Sequence, residues 1–192
     1  MIFPPYFIKI QRDSEKLGFD MPSDPVFGNF LKMLVASKPN ANILELGTGT
    51  GLSLSWMVDG MDTSSHVLSL DNEEKFLKIA RKYFKNDHRV SILCADGAAW
   101  IDTYEGPLFD LIFADTWPGK FNLLPETLKL VKAGGFYLID DLKPQENWPE
   151  GHNQKVEYLM NYLQSREDFI STYLDWSTGI LILCKKTGVI FE

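Results

Sequence analysis

Three glycines spaced two apart, in ILELGTGTGLS at residues 43–53, follow directly on a short apolar run and precede another. Glycine loses more backbone freedom on folding than any other residue. Gly47, Gly49 and Gly51 therefore mark a turn that needs either positive φ or a close approach of the backbone to something else. Placed where a strand ends and a helix begins, such a turn also points free backbone N–H groups outward, a ready site for an anionic group. A chain built around this turn needs a layer of strands to carry it.

The rest of the sequence supplies that layer. Apolar runs recur at 42–46, 66–70, 90–94, 109–114 and 135–139, and helical patterns lie between them. The clearest is EEKFLKIARKYF at 73–84, where Phe76, Leu77, Ala80, Tyr83 and Phe84 share one face. Further helices are expected at 52–58, 97–103, 125–132 and 152–165, with Pro125 in a first turn and Gly134-Gly135 as a C-terminal stop. Asp24-Pro25 reads as an N-cap and first-turn proline opening a helix from 25 to 37. Nearly all-apolar strands alternating with helices are the pattern of a parallel sheet covered on both faces. The runs at 169–174 and 179–184 are separated only by a short turn, so they pair antiparallel. The expected fold is α/β, a Rossmann-like, doubly wound seven-stranded sheet, mostly parallel with an antiparallel last strand. Residues 1–38 form an N-terminal arm and helix, and 39–192 the core of a single domain. Residues 1–22 are read as a mobile arm or lid, or as an apolar arm (Phe3, Tyr6, Phe7) that packs on a second subunit to give a homodimer.

Composition narrows the partner. The 192 residues carry a net charge of −7 with lysines and arginines scattered along the chain, so nucleic acid and anionic membranes are disfavoured. The two cysteines, Cys94 and Cys184, sit in apolar runs with no metal-ligand spacing and are expected to be buried, reduced thiols. No stretch approaches the roughly 20 apolar residues of a membrane span, and the opening MIFPPYFIKIQ lacks a basic leader segment. A cytoplasmic protein acting on a small molecule is the expectation.

The glycine spacing fails the G-x-G-x-x-G fingerprint in both registers, since Leu52 or Leu54 falls where the third glycine belongs. What remains, E-x-G-x-G-x-G from Glu45 to Gly51, resembles the first motif of class I S-adenosylmethionine-dependent methyltransferases. The resemblance implies that Glu45 holds the cofactor's ammonium directly or through water. It also implies that backbone N–H groups of Gly47, Thr48, Gly49 and Gly51, with Ser53, receive its carboxylate. Asp71, with its neighbour Asn72, closes the second strand, where an acid can accept both ribose hydroxyls; Asp96 and Gly97 follow the third, and the resemblance implies that they border the adenine. Helix capping is the simpler role of both aspartates.

The fourth and fifth strands end in FADTWPGKF and YLIDDLKP, which brings Asp115, Asp140 and Asp141 face to face. Three acids in one concave place repel unless a cation joins them, and a hard divalent ion such as Mg²⁺ is the simplest partner. The pattern is similar to the metal-dependent catechol and caffeoyl-CoA type O-methyltransferases, whose metal chelates two adjacent substrate hydroxyls. Asp115 would also lie along the cofactor, and Trp117 along the cofactor or the substrate. Two positions depart from that family: Asp141 replaces an amide, and Pro118 stands where a lysine base is expected. Lys120, two positions on, and His152, in the loop PQENWPEGHNQ, are the candidate bases. The alternatives left open are a metal-free methyltransferase, an aminopropyl-type transferase acting on an amine, and a non-catalytic S-adenosylmethionine-binding protein.

Overall fold

The computed structural model describes residues 1–145 and 148–188, and each of the seven apolar runs lies in a strand except for Gly179, which precedes the last one. The elements in chain order are α1 (Phe7–Leu17), α2 (Pro25–Ala36), β1 (Asn42–Leu46), α3 (Leu52–Gly60), β2 (His66–Asp71), α4 (Glu74–Phe84), β3 (Val90–Cys94) and α5 (Gly97–Thr103). They continue with β4 (Phe109–Ala114), α6 (Trp117–Lys120), α7 (Leu124–Lys129), β5 (Val131–Ile139), α8 (His152–Gln164), β6 (Phe169–Leu174) and β7 (Ile180–Lys185). One sheet runs in the order β3-β2-β1-β4-β5-β7-β6. All pairings are parallel except those of β7, which is antiparallel to both β5 and β6. Strand order reverses between β1 and β4, the position at which open α/β sheets bind ligands beyond their strand ends.

Side chains alternate across the sheet and build a core on each face. Ile43, Leu111, Phe113 and Leu138 join α1, α2 and α3 on one side. Leu44, Leu46, Ile112 and Tyr137 join α5, α7 and α8 on the other. Glu45 shares the face of Ile43, so its carboxyl is directed into the first layer. α3 is buried along most of its length because α2 covers it. Asp24 caps α2 as expected, accepting from Val26 N at 2.7 Å.

Several expectations need correction. Residues 1–22 are not a loose arm: they contain α1, whose Phe7, Ile10 and Ser14 are buried against α3 and α4, with Phe7 stacked on Phe3 and set edge-on to Trp56. Gly134-Gly135 does not stop a helix. α7 ends at Lys129, and the glycines lie within β5, where the register against β4 shifts and Gly134 takes φ +75°. Cys94 is exposed rather than core, because β3 is the sheet's edge; Cys184 is partly buried, and neither is bonded. Among the described residues no helix is long and apolar enough to cross a membrane.

Candidate active site

The glycine turn answers its own question first through backbone geometry. Gly47, Gly49 and Gly51 have φ of +105°, +51° and +93°, which side-chain-bearing residues rarely adopt. Space is also short: a Cβ on Gly47 would lie 3.0 Å from the Asp115 carbonyl oxygen, and one on Gly51 would lie 3.0 Å from Ala80 Cβ. The expected outward N–H groups are not free: Gly47 N and Thr48 N both donate to the Leu70 carbonyl, at 2.9 and 3.2 Å, and Gly51 N donates to Thr48 O at 2.9 Å. Gly49 N donates to Asp71 at 2.8 Å, so the ribose candidate is tied to the turn itself. The other Asp71 oxygen accepts from Glu73 N at 2.9 Å, and Asn72 beside it is exposed.

Beneath the turn, Glu45 has no exposed surface. Ser53 donates to one of its oxygens at 2.5 Å and Ser69 donates to the other. Thr48 is in turn 2.5 Å from Ser69. Burial outweighs these hydrogen bonds and pushes the Glu45 carboxyl up to about 8. Ser69, paired in register with Glu45, went unnoticed in the sequence, where it is only a lone serine in the apolar run HVLSL. Asp96 caps α5, accepting from Ala99 N at 2.8 Å, and remains exposed. Gly97 is buried, and a Cβ there would meet Pro118 at 3.0 Å, which locks α5 against α6.

At the ends of β4 and β5, Asp115, Asp140 and Asp141 each offer an oxygen, all within 4.8 Å of one another. Burial raises Asp115 well above the carboxylate range, and repulsion from Asp140 adds to it. Asp140, 5 % exposed, is raised to about 6 by burial and then by Asp141, while Lys120 pulls it down. Asp140 Oδ1 is buried with no hydrogen-bond partner among the described residues, an acceptor that a cation would satisfy. Such a set of hard oxygen ligands fits Mg²⁺ or Ca²⁺ chemistry. The β6–β7 hairpin helps to shape it: Leu142 N donates to Gly179 O at 3.1 Å and Lys143 N to Thr178 O at 2.8 Å. Asp141 takes φ +54° there, and Gln145 Nε2 donates to its carboxylate at 2.9 Å.

Lys120 is not a solvated surface lysine; it is 5 % exposed and acts electrostatically on both Asp115 and Asp140. Its position follows from Gly119, at φ +83°, where a Cβ would lie 2.5 Å from Leu46 Cδ1. The buried Tyr137 hydroxyl donates to the Gly119 carbonyl and fixes that turn. His152 begins α8 and is 8 % exposed, its ring 4.5 Å from Trp148, 5.2 Å from Phe121 and 6.2 Å from Trp117. Its Nδ1 has no partner among the described residues, and burial, helped by Lys120 and Lys155, lowers its pKa. Trp117 is 46 % exposed and carries the Lys155 ammonium over its ring at 4.4 Å. The loop 144–154 falls partly outside the described residues. Tyr137 and Gln145 had no legible signal in the sequence.

The sequence model of the O-methyltransferase family matches residues 10–167, most of the chain. The chain belongs to the O-methyltransferase family. Its curated relatives in that family include a provisionally named caffeoyl-CoA O-methyltransferase of Arabidopsis thaliana, 27% identical over 138 residues, 69% of this chain and 59% of that protein. A provisionally named O-methyltransferase of Mycobacterium ulcerans is 24% identical over 120 residues, 60% of this chain and 54% of that protein. The match thus spans less than two thirds of these relatives' length. The fold is shared with an O-methyltransferase of Bacillus cereus solved in complex with S-adenosylhomocysteine, at TM-score 0.81 and 22% identity, over 94% of this chain and 90% of that one. An O-methyltransferase fold from Klebsiella pneumoniae superposes at TM-score 0.83 and 22% identity, over 97% of this chain and 92% of that one. The family match and these neighbours agree with the class I motif, from Glu45 to Gly51, and with the seven-stranded topology.

Proposed function

We propose that this protein transfers a methyl group from S-adenosylmethionine to an oxygen of a small acceptor, with a divalent cation held by Asp115, Asp140 and Asp141. One observation carries the reading. The Asp115 backbone packs against Gly47 while its carboxylate joins the acid trio, so the turn and the trio share one wall. The cofactor supplies a methyl group on a sulfonium, and its transfer breaks the carbon–sulfur bond as the carbon–oxygen bond forms. The cation would polarise the acceptor hydroxyl and lower its pKa.

The chain's own residues bind, orient and take the proton. Gly47, Thr48, Gly49 and Gly51 form the backbone wall of the methionine end, their N–H groups already bonded within the fold, and Glu45 acts through the Ser53 hydroxyl it already accepts from. Asp71 and Asn72 take the ribose, and Asp96 and Gly97 border the adenine. Trp117 walls the acceptor. Lys120 supports developing negative charge on the acceptor oxygen, and the neutral imidazole of His152 takes the proton at Nδ1. Buried Lys120 also favours a second reading, in which its fixed charge serves the acids without any metal.

The deciding experiment is a calorimetric titration with S-adenosylhomocysteine, with and without Mg²⁺ plus a catechol. Micromolar binding strengthened by the metal and catechol together supports the first reading. Binding with no metal effect shifts the assignment to a metal-free transferase, one acting on an amine, or a silent binder. Failure to bind would mean that the glycine turn serves only the fold. In solution the protein is proposed to be a cytoplasmic homodimer, checked by sedimentation.

A further inference from the structure

We infer that Ser14 and Phe19, from the N-terminal segment, are positioning residues for the cofactor turn, so that docking of α1 and cofactor binding are coupled. The inference rests on the cofactor reading above. Two contacts, made by different chemistry, converge on adjacent residues of the turn. Ser14, 3 % exposed, is hydrogen-bonded through Oγ to Thr50 Oγ1 at 2.8 Å, and Thr50 is itself buried. The Phe19 ring lies against Gly49, where a Cβ would be 3.0 Å from Cζ.

The local sequence explains how one short segment reaches both. Gly18 ends α1 at φ +74°, and Phe19 N donates back to Ser14 O at 3.0 Å while Gly18 N donates to Glu15 O at 3.1 Å. This left-handed cap folds Phe19 back beside Ser14. Phe19 then packs edge-on to Phe76 of α4, with centroids 4.9 Å apart. Asp13 fastens the same helix to α4, accepting from Lys82 Nζ at 2.6 Å and from Tyr83 Oη at 2.8 Å. The buttressed turn is the one whose Gly49 N–H holds Asp71. α1 therefore bears on both the turn and the acid assigned to the ribose, although no residue of α1 was legible as part of a site.

Coupling of this kind is reciprocal: whatever α1 contributes to cofactor affinity, the cofactor returns as protection of α1. The test is a double-mutant cycle on the full chain, using S-adenosylhomocysteine as the probe. Ser14→Ala is expected to raise Kd about tenfold, since it leaves the buried Thr50 hydroxyl unpaired, and Thr50→Val at least about threefold, since Ser14 keeps its bond to Ile10 O at 2.8 Å. The double variant is expected to be no weaker than Ser14→Ala alone, because both changes delete one interaction. Phe19→Ala, at a half-buried position where folding is not at risk, is expected to raise Kd at least about fivefold. In the unmodified protein, S-adenosylhomocysteine should slow amide exchange across 7–17, and Ser14→Ala should abolish that slowing while circular dichroism is unchanged. If the unmodified protein binds and all three variants match its affinity, with α1 exchange indifferent to the ligand, the coupling is refuted while the cofactor reading stands. If the unmodified protein does not bind, both fall together.

Discussion

Replacing Glu45 with glutamine removes a carboxyl that the fold has buried without a positive partner. Its ordinary pKa of 4.5 is displaced to about 8, mainly by desolvation. A proton bound more tightly in the folded state stabilises the fold when the pH is low. That contribution is fully present below about 4.5, falls as pH rises through the window from 4.5 to 8, and is gone above it. At about 1.4 kcal/mol per pH unit, the upper limit is about 5 kcal/mol, and roughly 3 kcal/mol is a working value. Glutamine keeps an acceptor for one serine and offers an N–H₂ to the other, so Glu45→Gln should fold. Urea unfolding followed by circular dichroism at pH 5, 6, 7 and 8 measures the difference. The two proteins should be similar in stability at pH 5, and the variant should be about 2–4 kcal/mol more stable at pH 8. Parallel pH profiles for the two proteins would refute the account of a protonated, desolvated Glu45.

Asp140→Asn removes one trio member and relieves repulsion. A thermal upshift by Mg²⁺ should then vanish, where about 2.7 kcal/mol is expected for the unmodified protein at a cation concentration 100-fold above Kd. Differential scanning fluorimetry reads this, and an upshift surviving in the variant counts against the trio as ligands. Tyr137→Phe leaves the buried Gly119 carbonyl without its hydroxyl donor, which should destabilise by about 1–3 kcal/mol in urea unfolding; an effect within about 0.5 kcal/mol would show that the bond does not hold the Lys120 turn. Gly119→Ala should destabilise by at least about 2 kcal/mol in the same assay, through positive φ and overlap with Leu46 together. His152→Phe keeps a ring among Trp117, Phe121 and Trp148, so stability should change by less than about 1.5 kcal/mol. Methyl transfer should nevertheless slow roughly 100-fold or more if Nδ1 takes the proton; an unchanged kcat would remove His152 from the chemistry.

The strands and the acids at their ends were legible because both are written locally. β1, β3, β4 and β6 begin and end where their apolar runs do, and Asp71, Asp115, Asp140 and Asp141 each close or follow a run. What was not legible depends on pairing. Ser69 becomes a ligand of Glu45 only once β1 and β2 are in register. Tyr137 reaches Gly119 because alternation puts it on the α8 side of β5, opposite Leu138. Phe3, Tyr6 and Phe7 suggested an apolar arm; three buried positions at helical spacing, Phe7, Ile10 and Ser14, carry the docking of α1 instead. Gly134-Gly135 misled because paired glycines mark a helix end and a strand irregularity equally well.

The hairpin that clamps the loop after β5 has a consequence for the order in which the molecule matures. The glycine turn is assembled from residues within the first half of the chain, and its parts, apart from the Asp115 backbone, have left the ribosome early. Asp141, by contrast, is held in its left-handed backbone beside contacts from Thr178 and Gly179, and Trp176 of the same hairpin closes on Phe30 across most of the sequence. The residues proposed for the cofactor turn are thus synthesised well before those that hold Asp141 in place.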